Sequence, residues 1–328
     1  MQVAVIHDWL DKRGGAENVL EQILLLYPNA EIYSLVDFAD RERMPFLQGR
    51  KIHTSFVNKL PFAKNHFRKY LPFFPIAIES FDLRRYDLVI SSSFAVAKGV
   101  IINPDQKHIS YMHSPIRYAW DMQGEYSKTH KIMRGIAKPF VSFMMHKLRI
   151  WDAVSSLRID QIVTNSEFVR RRINKCYNLD SKVIYPPVGV EFFAKKQKKI
   201  EGDFYFTACR HVGYKNLDLL VKAFNKMPDK KLYIAGEGPQ TRKLKEMAKT
   251  NIVFLGNISR EKLRDNMQAA KAFLYAAIED FGIVMVESLA AGTPVIAYAK
   301  GGAVDIISGA PSNKKVGLPF AEQTVAAI

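Results

Sequence analysis

The sequence predicts an α/β protein built from two doubly wound parallel-sheet domains. Three observations predict it. Short apolar strands alternate with helical stretches that carry one apolar face. From residue 203 onward the alternation becomes regular, with a strand–helix unit about every 25 residues, which implies parallel strands joined by right-handed crossovers. Between the two series lies Ile184-Tyr185-Pro186-Pro187-Val188-Gly189, an extended stretch whose two prolines cannot continue a helix. A polar segment, Lys195-Lys196-Gln197-Lys198-Lys199, follows it. We therefore expect domains over 1–186 and 187–328, and a chain of 328 residues is long enough for two separate cores.

In the first series the expected strands are Val3–Ile6, Ile32–Val36, Leu88–Ser91, Ile109–Met112 and Ile162–Thr164. Ala16–Leu26 reads as a helix because Val19, Leu20, Ile23 and Leu24 fall on one side. The second series opens with strand Phe204–Ala208 and helix Leu217–Met227, then strand Lys231–Ala235 and helix Gln240–Lys249. Strand Ile252–Leu255, helix Arg260–Ala270, strand Ala272–Ala276, helix Ile283–Ala291 and strand Pro294–Ala297 complete it. The chain stops at Ile328, in what reads as the start of a further helix from Glu322.

Composition excludes several classes. With 48% apolar and 24% charged residues the chain is neither disordered nor low in complexity. Cys176 and Cys209 are too few for a disulfide framework and fit a reducing compartment. No apolar run approaches the roughly 18 residues of a membrane span, and the start, Met1-Gln2-Val3-Ala4-Val5-Ile6, lacks the basic and apolar regions of a secretion signal. The net charge is +16. Residues 51–150 hold 16 basic and 6 acidic side chains while 251–328 hold 7 of each, so the excess belongs to the first half and the middle. Nucleic acid, an anionic membrane and a phosphorylated substrate all suit such a charge, as does plain solvation. No recognised nucleic-acid motif accompanies it.

Four constellations follow expected strands, where ligands of doubly wound sheets bind. Gly14-Gly15-Ala16-Glu17 opens the first helix; its glycines let a ligand approach and its N–H groups suit a phosphate, although a simple turn reads the same. It is not the G-x-G-x-x-G dinucleotide fingerprint, which weakens an oxidoreductase reading. Arg210 and Lys215 follow the first strand of the second domain and could neutralise a diphosphate, or be a solvated pair. In Glu279-Asp280-Phe281-Gly282-Ile283-Val284-Met285-Val286-Glu287, Gly282 makes a tight turn and the N–H groups of Gly282, Ile283 and Val284 open a helix. Glu287 lies a turn into that apolar helix, where a sugar diol is a suitable partner for a carboxylate, although a surface glutamate on an amphipathic helix reads the same. Finally, His113-Ser114-Pro115-Ile116-Arg117-Tyr118-Ala119-Trp120-Asp121 puts a histidine and a dense polar and aromatic run at a strand end.

Together these resemble the retaining glycosyltransferases of family 4, whose fold is GT-B: two Rossmann-like domains facing a cleft. The resemblance covers nearly the whole chain. Its most specific element is Glu-x7-Glu, here Glu279 and Glu287, supported by Gly-Gly-x-Glu, His113, Arg210 with Lys215, and Gly236-Glu237-Gly238-Pro239. The N-terminal half is most similar to bacterial mannosyltransferases of surface-polysaccharide assembly, through His7-Asp8-Trp9-Leu10, Tyr86-Asp87-Leu88-Val89-Ile90-Ser91-Ser92-Ser93 and the His113–Asp121 run. The resemblance implies an acceptor-binding first domain and a nucleotide-sugar-binding second one. It implies that Gly15, beside Gly14, gives its N–H to the donor diphosphate, and that Arg210 and Lys215 bind that diphosphate and stabilise its leaving charge. It further implies that Glu279, with the backbone of Phe281 and Gly282, holds sugar hydroxyls and that Glu287 binds the ribose. By the same likeness His113 contacts the sugar near the reacting centre, and the loop of Asn257 and Ile258 lies near the base. Arg117, Tyr118, Trp120 and Asp121 are the acceptor-side candidates. The implied reaction retains configuration by front-face attack and needs no cofactor. No Asp-x-Asp is present to bridge a metal. Family members usually continue into a helix that packs back on the first domain; here that helix is expected to be missing.

The expected donor is GDP-mannose, with a UDP-sugar or a non-catalytic partner subunit as alternatives. Phe56–Pro75 interleaves Lys59, Lys64, Arg68 and Lys69 with Phe56, Phe62, Phe67, Phe73 and Phe74. Residues 128–151 repeat the mixture, with Lys131, Arg134, Lys138, Lys147 and Arg149 beside Phe140, Phe143 and Trp151. Such surfaces suit anionic headgroups, although core aromatics among solvated lysines look the same. The expected acceptor is thus a lipid-linked saccharide, met by a cytoplasmic protein peripheral to the inner face of the plasma membrane.

Overall fold

A computed structural model describes residues 1–121, 138–195, 202–309 and 316–328. Lys131 and Arg134 of the second basic stretch, and Lys196, Gln197, Lys198 and Lys199 of the lysine-rich segment, lie outside the described residues. The chain divides into two units, Met1–Pro187 and Val188–Ile328.

Among the described residues the first unit has a seven-stranded, all-parallel sheet. Its strands are β1 (Val3–His7), β2 (Glu31–Ser34), β3 (Ile52–Thr54), β4 (Leu88–Ser93), β5 (Lys107–Met112), β6 (Gln161–Thr164) and β7 (Lys182–Val183), in the order β3-β2-β1-β4-β5-β6-β7. Alternation along β1 explains the layering. Ala4 and Ile6 enter one buried cluster with Val89, while Val5 enters another with Leu20, Leu24 and Ile32 from the opposite face. The Gly15–Leu26 helix buries Val19, Leu20 and Leu24, as its apolar spacing predicts.

The second unit repeats the scheme with β8 (Phe204–Ala208), β9 (Lys231–Ala235), β10 (Ile252–Gly256), β11 (Phe273–Tyr275), β12 (Val295–Tyr298) and β13 (Gly317–Phe320), ordered β10-β9-β8-β11-β12-β13. Phe206, Phe273 and Tyr275 face one core; Leu232, Ile234 and Leu274 face the other. Numbered from its own first strand, each sheet runs 3-2-1-4-5, the Rossmann order. Strands Phe204–Ala208 and Lys231–Ala235 coincide residue for residue with expectation.

The helix expected from Glu322 is not formed. Residues 321–327 make bends and one turn, with Ala327 N–H donating to Thr324 O at 3.3 Å. A single turn does not recover the cost of helix nucleation.

Candidate active site

In each sheet the strand order reverses once, between β1 and β4 and between β8 and β11, and the polar residues gather beyond those carboxyl ends. In the first unit the parallel register sets His7 beside Ser92. His7 Nδ1 lies 3.1 Å from Ser92 Oγ, and Ser92 Oγ lies 2.9 Å from His113 Nε2. On its other side His7 Nε2 is 3.3 Å from Glu17 Oε1. All four side chains are buried. Glu17 sits in the first turn of the Gly15–Leu26 helix, where Gly14 N–H donates to its Oε2 at 2.7 Å. Burial drives the Glu17 carboxyl upward, but His7 and the amide donors outweigh it and hold it below its ordinary value. Gly14 and Gly15 themselves are exposed. Next along, buried Asp8 accepts the N–H groups of Phe94, Ala95, Val96 and Ala97 at 2.5–2.9 Å, which ties the end of β1 to the turn after β4.

Of the acceptor-side candidates, Trp120 and Asp121 are held by partners within the first unit. Trp120 donates its indole N–H to Asp152 at 2.7 Å. Asp152 also accepts the Tyr177 hydroxyl at 2.7 Å and pairs with Lys98, deep in the core. Asp121 receives Arg172 through Nε at 2.8 Å and Nη2 at 2.5 Å. Arg117 and Tyr118 are half-buried.

In the second unit, Lys215 ends the short turn before helix Leu217–Asn225, and its ammonium pairs with Glu279 and donates to Tyr275 OH at 2.8 Å. Burial opposes the charge on Lys215, but Glu279 prevails and its pKa rises, so it is a fixed cation. Arg210 is exposed at the end of β8. The neighbouring Cys209 thiol is pushed up to about 12 by burial, which removes it as a thiolate nucleophile.

The Glu279 loop is set by backbone fit. Gly282 has φ +94° and caps helix Ile283–Ala290 without a side-chain bond. The first N–H groups of that helix, those of Ile283 and Val284, have no carbonyl within it to receive them. Behind the loop, Gly302 N–H donates to Glu279 O at 2.8 Å, and a Cβ on Gly301 would stand 2.4 Å from that same oxygen. One turn on, Glu287 is half-buried; burial raises its carboxyl and Arg260 opposes the rise. Asn257 is exposed and donates to Glu237 Oε2 at 2.9 Å, linking the loop after β10 to the Gly236–Pro239 turn, and Ile258 packs against the core.

Thus the structure joins Lys215 to Glu279, and His113 to three residues that sequence reasoning did not select: His7, Ser92 and Glu17. Tyr275 and Gly301 were missed as well. The available signals were the position of His7 and Tyr275 at strand ends and of Glu17 inside Gly-Gly-x-Glu.

Two families match the sequence: Glycosyltransferase Family 4 over residues 13–192 and Glycosyl transferases group 1 over residues 190–318. Among similar proteins, the Alpha-1,3/1,6-mannosyltransferase ALG2 of Kluyveromyces lactis is 23% identical over 62% of this chain and 48% of its own length. The O-antigen chain mannosyltransferase RfbU of Salmonella typhimurium is 30% identical over 44% of this chain and 43% of its own. The matched segments therefore span less than half of either relative. Among solved structures, HepE of Anabaena, crystallised with UDP and glucose, has a TM-score of 0.68 at 16% identity, covering 99% of this chain and 87% of that one. Sucrose-phosphate synthase of Thermosynechococcus elongatus gives 0.66 at 17%, covering 100% and 88%. Likeness at this level shows the fold, which is GT-B.

Proposed function

This chain belongs to glycosyltransferase family 4, and on that premise we propose that it transfers a hexose, mannose from GDP-mannose, to a lipid-linked saccharide with retention of configuration. The observation that carries the proposal is the Lys215–Glu279–Tyr275 cluster beyond the strand ends of the second unit, with exposed Arg210 on the same edge. A departing nucleoside diphosphate develops negative charge, and preorganised cations and helix N–H groups stabilise that charge. In this reading Lys215 and Arg210 take the diphosphate, joined by the Gly15 amide and the Ile283 and Val284 amides. Glu279 and the backbone at Phe281 and Gly282 hold sugar hydroxyls, Glu287 the ribose, and Asn257 and Ile258 border the base. His113 meets the sugar at the reacting carbon. The mannose assignment draws on the two mannosyltransferases among the relatives. With two cations at the leaving group and no Asp-x-Asp in the sequence, the reading assigns no step to a metal.

A peripheral membrane position belongs to the same proposal. Phe67 and Phe74 are core residues, but Phe56, Phe62, Phe73, Phe140 and Phe143 are exposed, in company with Lys59, Lys64, Lys69 and Lys147. Between Leu71, Pro72, Pro75, Met144, Leu148 and Trp151 runs an apolar groove of about 200 Å³. No helix among the described residues is long and apolar enough to cross a membrane.

The test is a thermal-shift panel with GDP, UDP, ADP and their common sugars. GDP and GDP-mannose are expected to raise the melting temperature, and Lys215→Ala to abolish both the shift and turnover. Stabilisation by UDP alone would move the donor to a UDP-sugar.

A further inference from the structure

With His7 as the neutral imidazole, the chain Glu17–His7–Ser92–His113 has one consistent hydrogen pattern, and that pattern reaches the histidine assigned to the reacting carbon. Glu17 Oε2 already accepts the Gly14 N–H at 2.7 Å. Its carboxylate is acceptor-only, so the contact from Oε1 to His7 Nε2 requires the hydrogen to sit on Nε2. On that premise His7 has its lone pair at Nδ1, and the Ser92 hydroxyl donates to it. With its hydrogen so directed, Ser92 Oγ can only accept from His113 Nε2. His113 is thereby held with Nε2 protonated on the Ser92 side. The rings have little freedom to turn away: Phe94 packs edge-on against His7 at 5.7 Å and against His113 at 6.1 Å, and Tyr111 lies 5.0 Å from His113.

We infer that Glu17, His7 and Ser92 are positioning residues that dictate which ring nitrogen of His113 carries the proton, and that Glu17, through its second oxygen, ties this choice to the Gly14-Gly15 turn. A histidine's tautomer is set by the bond its other nitrogen makes, and here that bond is the end of a three-residue relay. Only the purpose of the relay, aiming His113 at a sugar, rests on the proposed function; the relay itself rests on the four contacts.

Glu17→Gln makes the test sharp. Its single carbonyl oxygen must keep the Gly14 N–H, because an amide NH₂ there would face a donor. The NH₂ then faces His7 Nε2, which must become an acceptor. His7 moves its hydrogen to Nδ1, Ser92 reverses, and His113 moves its hydrogen to Nδ1. Nitrogen-15 spectra of histidine-labelled protein read this directly, with the His113 signals assigned by their loss in His113→Gln. Wild type is expected to show His113 protonated at Nε2, and Glu17→Gln to show both His7 and His113 exchanged, with the other histidine signals in place as evidence of folding. Ser92→Ala should break the relay and leave His113 a mixture. In turnover, both variants should lower kcat roughly ten- to a hundredfold, as loss of an orienting partner does, with KM for the donor changed less than about twofold. An unchanged His113 tautomer in both variants would sink the inference whatever the activity. Tautomer exchange in a protein that transfers no sugar would leave the relay standing and remove only the function proposed for it.

Discussion

His108 is a side chain whose surroundings decide its chemistry. Its Nε2 lies 2.9 Å from Ser91 Oγ, its Nδ1 has no hydrogen-bond partner among the described residues, and burial lowers its pKa from 6.5 to about 4. Between those values the unfolded chain takes up a proton that the folded chain refuses. Stability is therefore lost as pH falls from about 6.5 towards 4, by roughly 3 kcal/mol from this group. Urea midpoints measured at pH 4.5 and 7 should differ less in His108→Gln than in wild type; an unaltered difference would place the loss elsewhere. Lys98 illustrates the opposite case, a charge kept in the core by its partners. It pairs with Asp152 and lies over the rings of Trp151 and Tyr177 at 5.4 and 5.5 Å. Lys98→Met strands the Asp152 carboxylate and should cost about 3–5 kcal/mol, and Asp152→Leu should cost less in the Lys98→Met background than alone, because the ion pair is already gone. Equal costs of Asp152→Leu in the two backgrounds, by chemical denaturation, would contradict the pairing.

At the scale of elements, what was legible depended on how much signal an element carries by itself. In β8 and β9 of the second unit, apolar residues feed the cores on both faces of the sheet, so these two strands could be read residue by residue. The strands not read are β3, β7 and β13, of three, two and four residues, each at an edge of its sheet. Such strands owe their form to the neighbour that pairs with them, and so few residues have no period. The site divides in the same way. Residue types following strands pointed to Lys215, Glu279 and His113, but their partners come from far along the chain: His7 is 85 positions from Ser92, and Lys215 is 60 from Tyr275. Only folding supplies those pairs. Loop fit was equally hidden. Gly301 permits the approach of Glu279 O, and Gly301→Ala forces a Cβ against backbone that cannot give way as a side chain can. The substitution should cost about 1–3 kcal/mol and displace the Glu279 loop. Nucleotide-sugar affinity should fall further than stability does, measured by titration calorimetry and thermal melts on the same sample; equal affinity would show the loop to be indifferent to its backing.

For the whole molecule, charge is the first consideration. The net charge of +16 is concentrated away from residues 251–328, and the exposed phenylalanines at 56, 62, 73, 140 and 143 belong to the first unit, where lysines accompany them. Sedimentation with anionic liposomes should bind the protein at low salt and release it progressively as salt screens the headgroups. Equal binding to neutral liposomes would rule out the electrostatic part of this reading. Phe62 is the extreme member of that set, 82% exposed and held at φ +57°, a backbone region that suits asparagine or glycine far better than an aromatic residue. The ring adds almost nothing to the interior and burdens the main chain that presents it. Anyone purifying this protein for crystals can begin there: Phe62→Asn relieves the backbone and removes a sticky surface in one change, which makes position 62 a natural first choice for a better-behaved laboratory form.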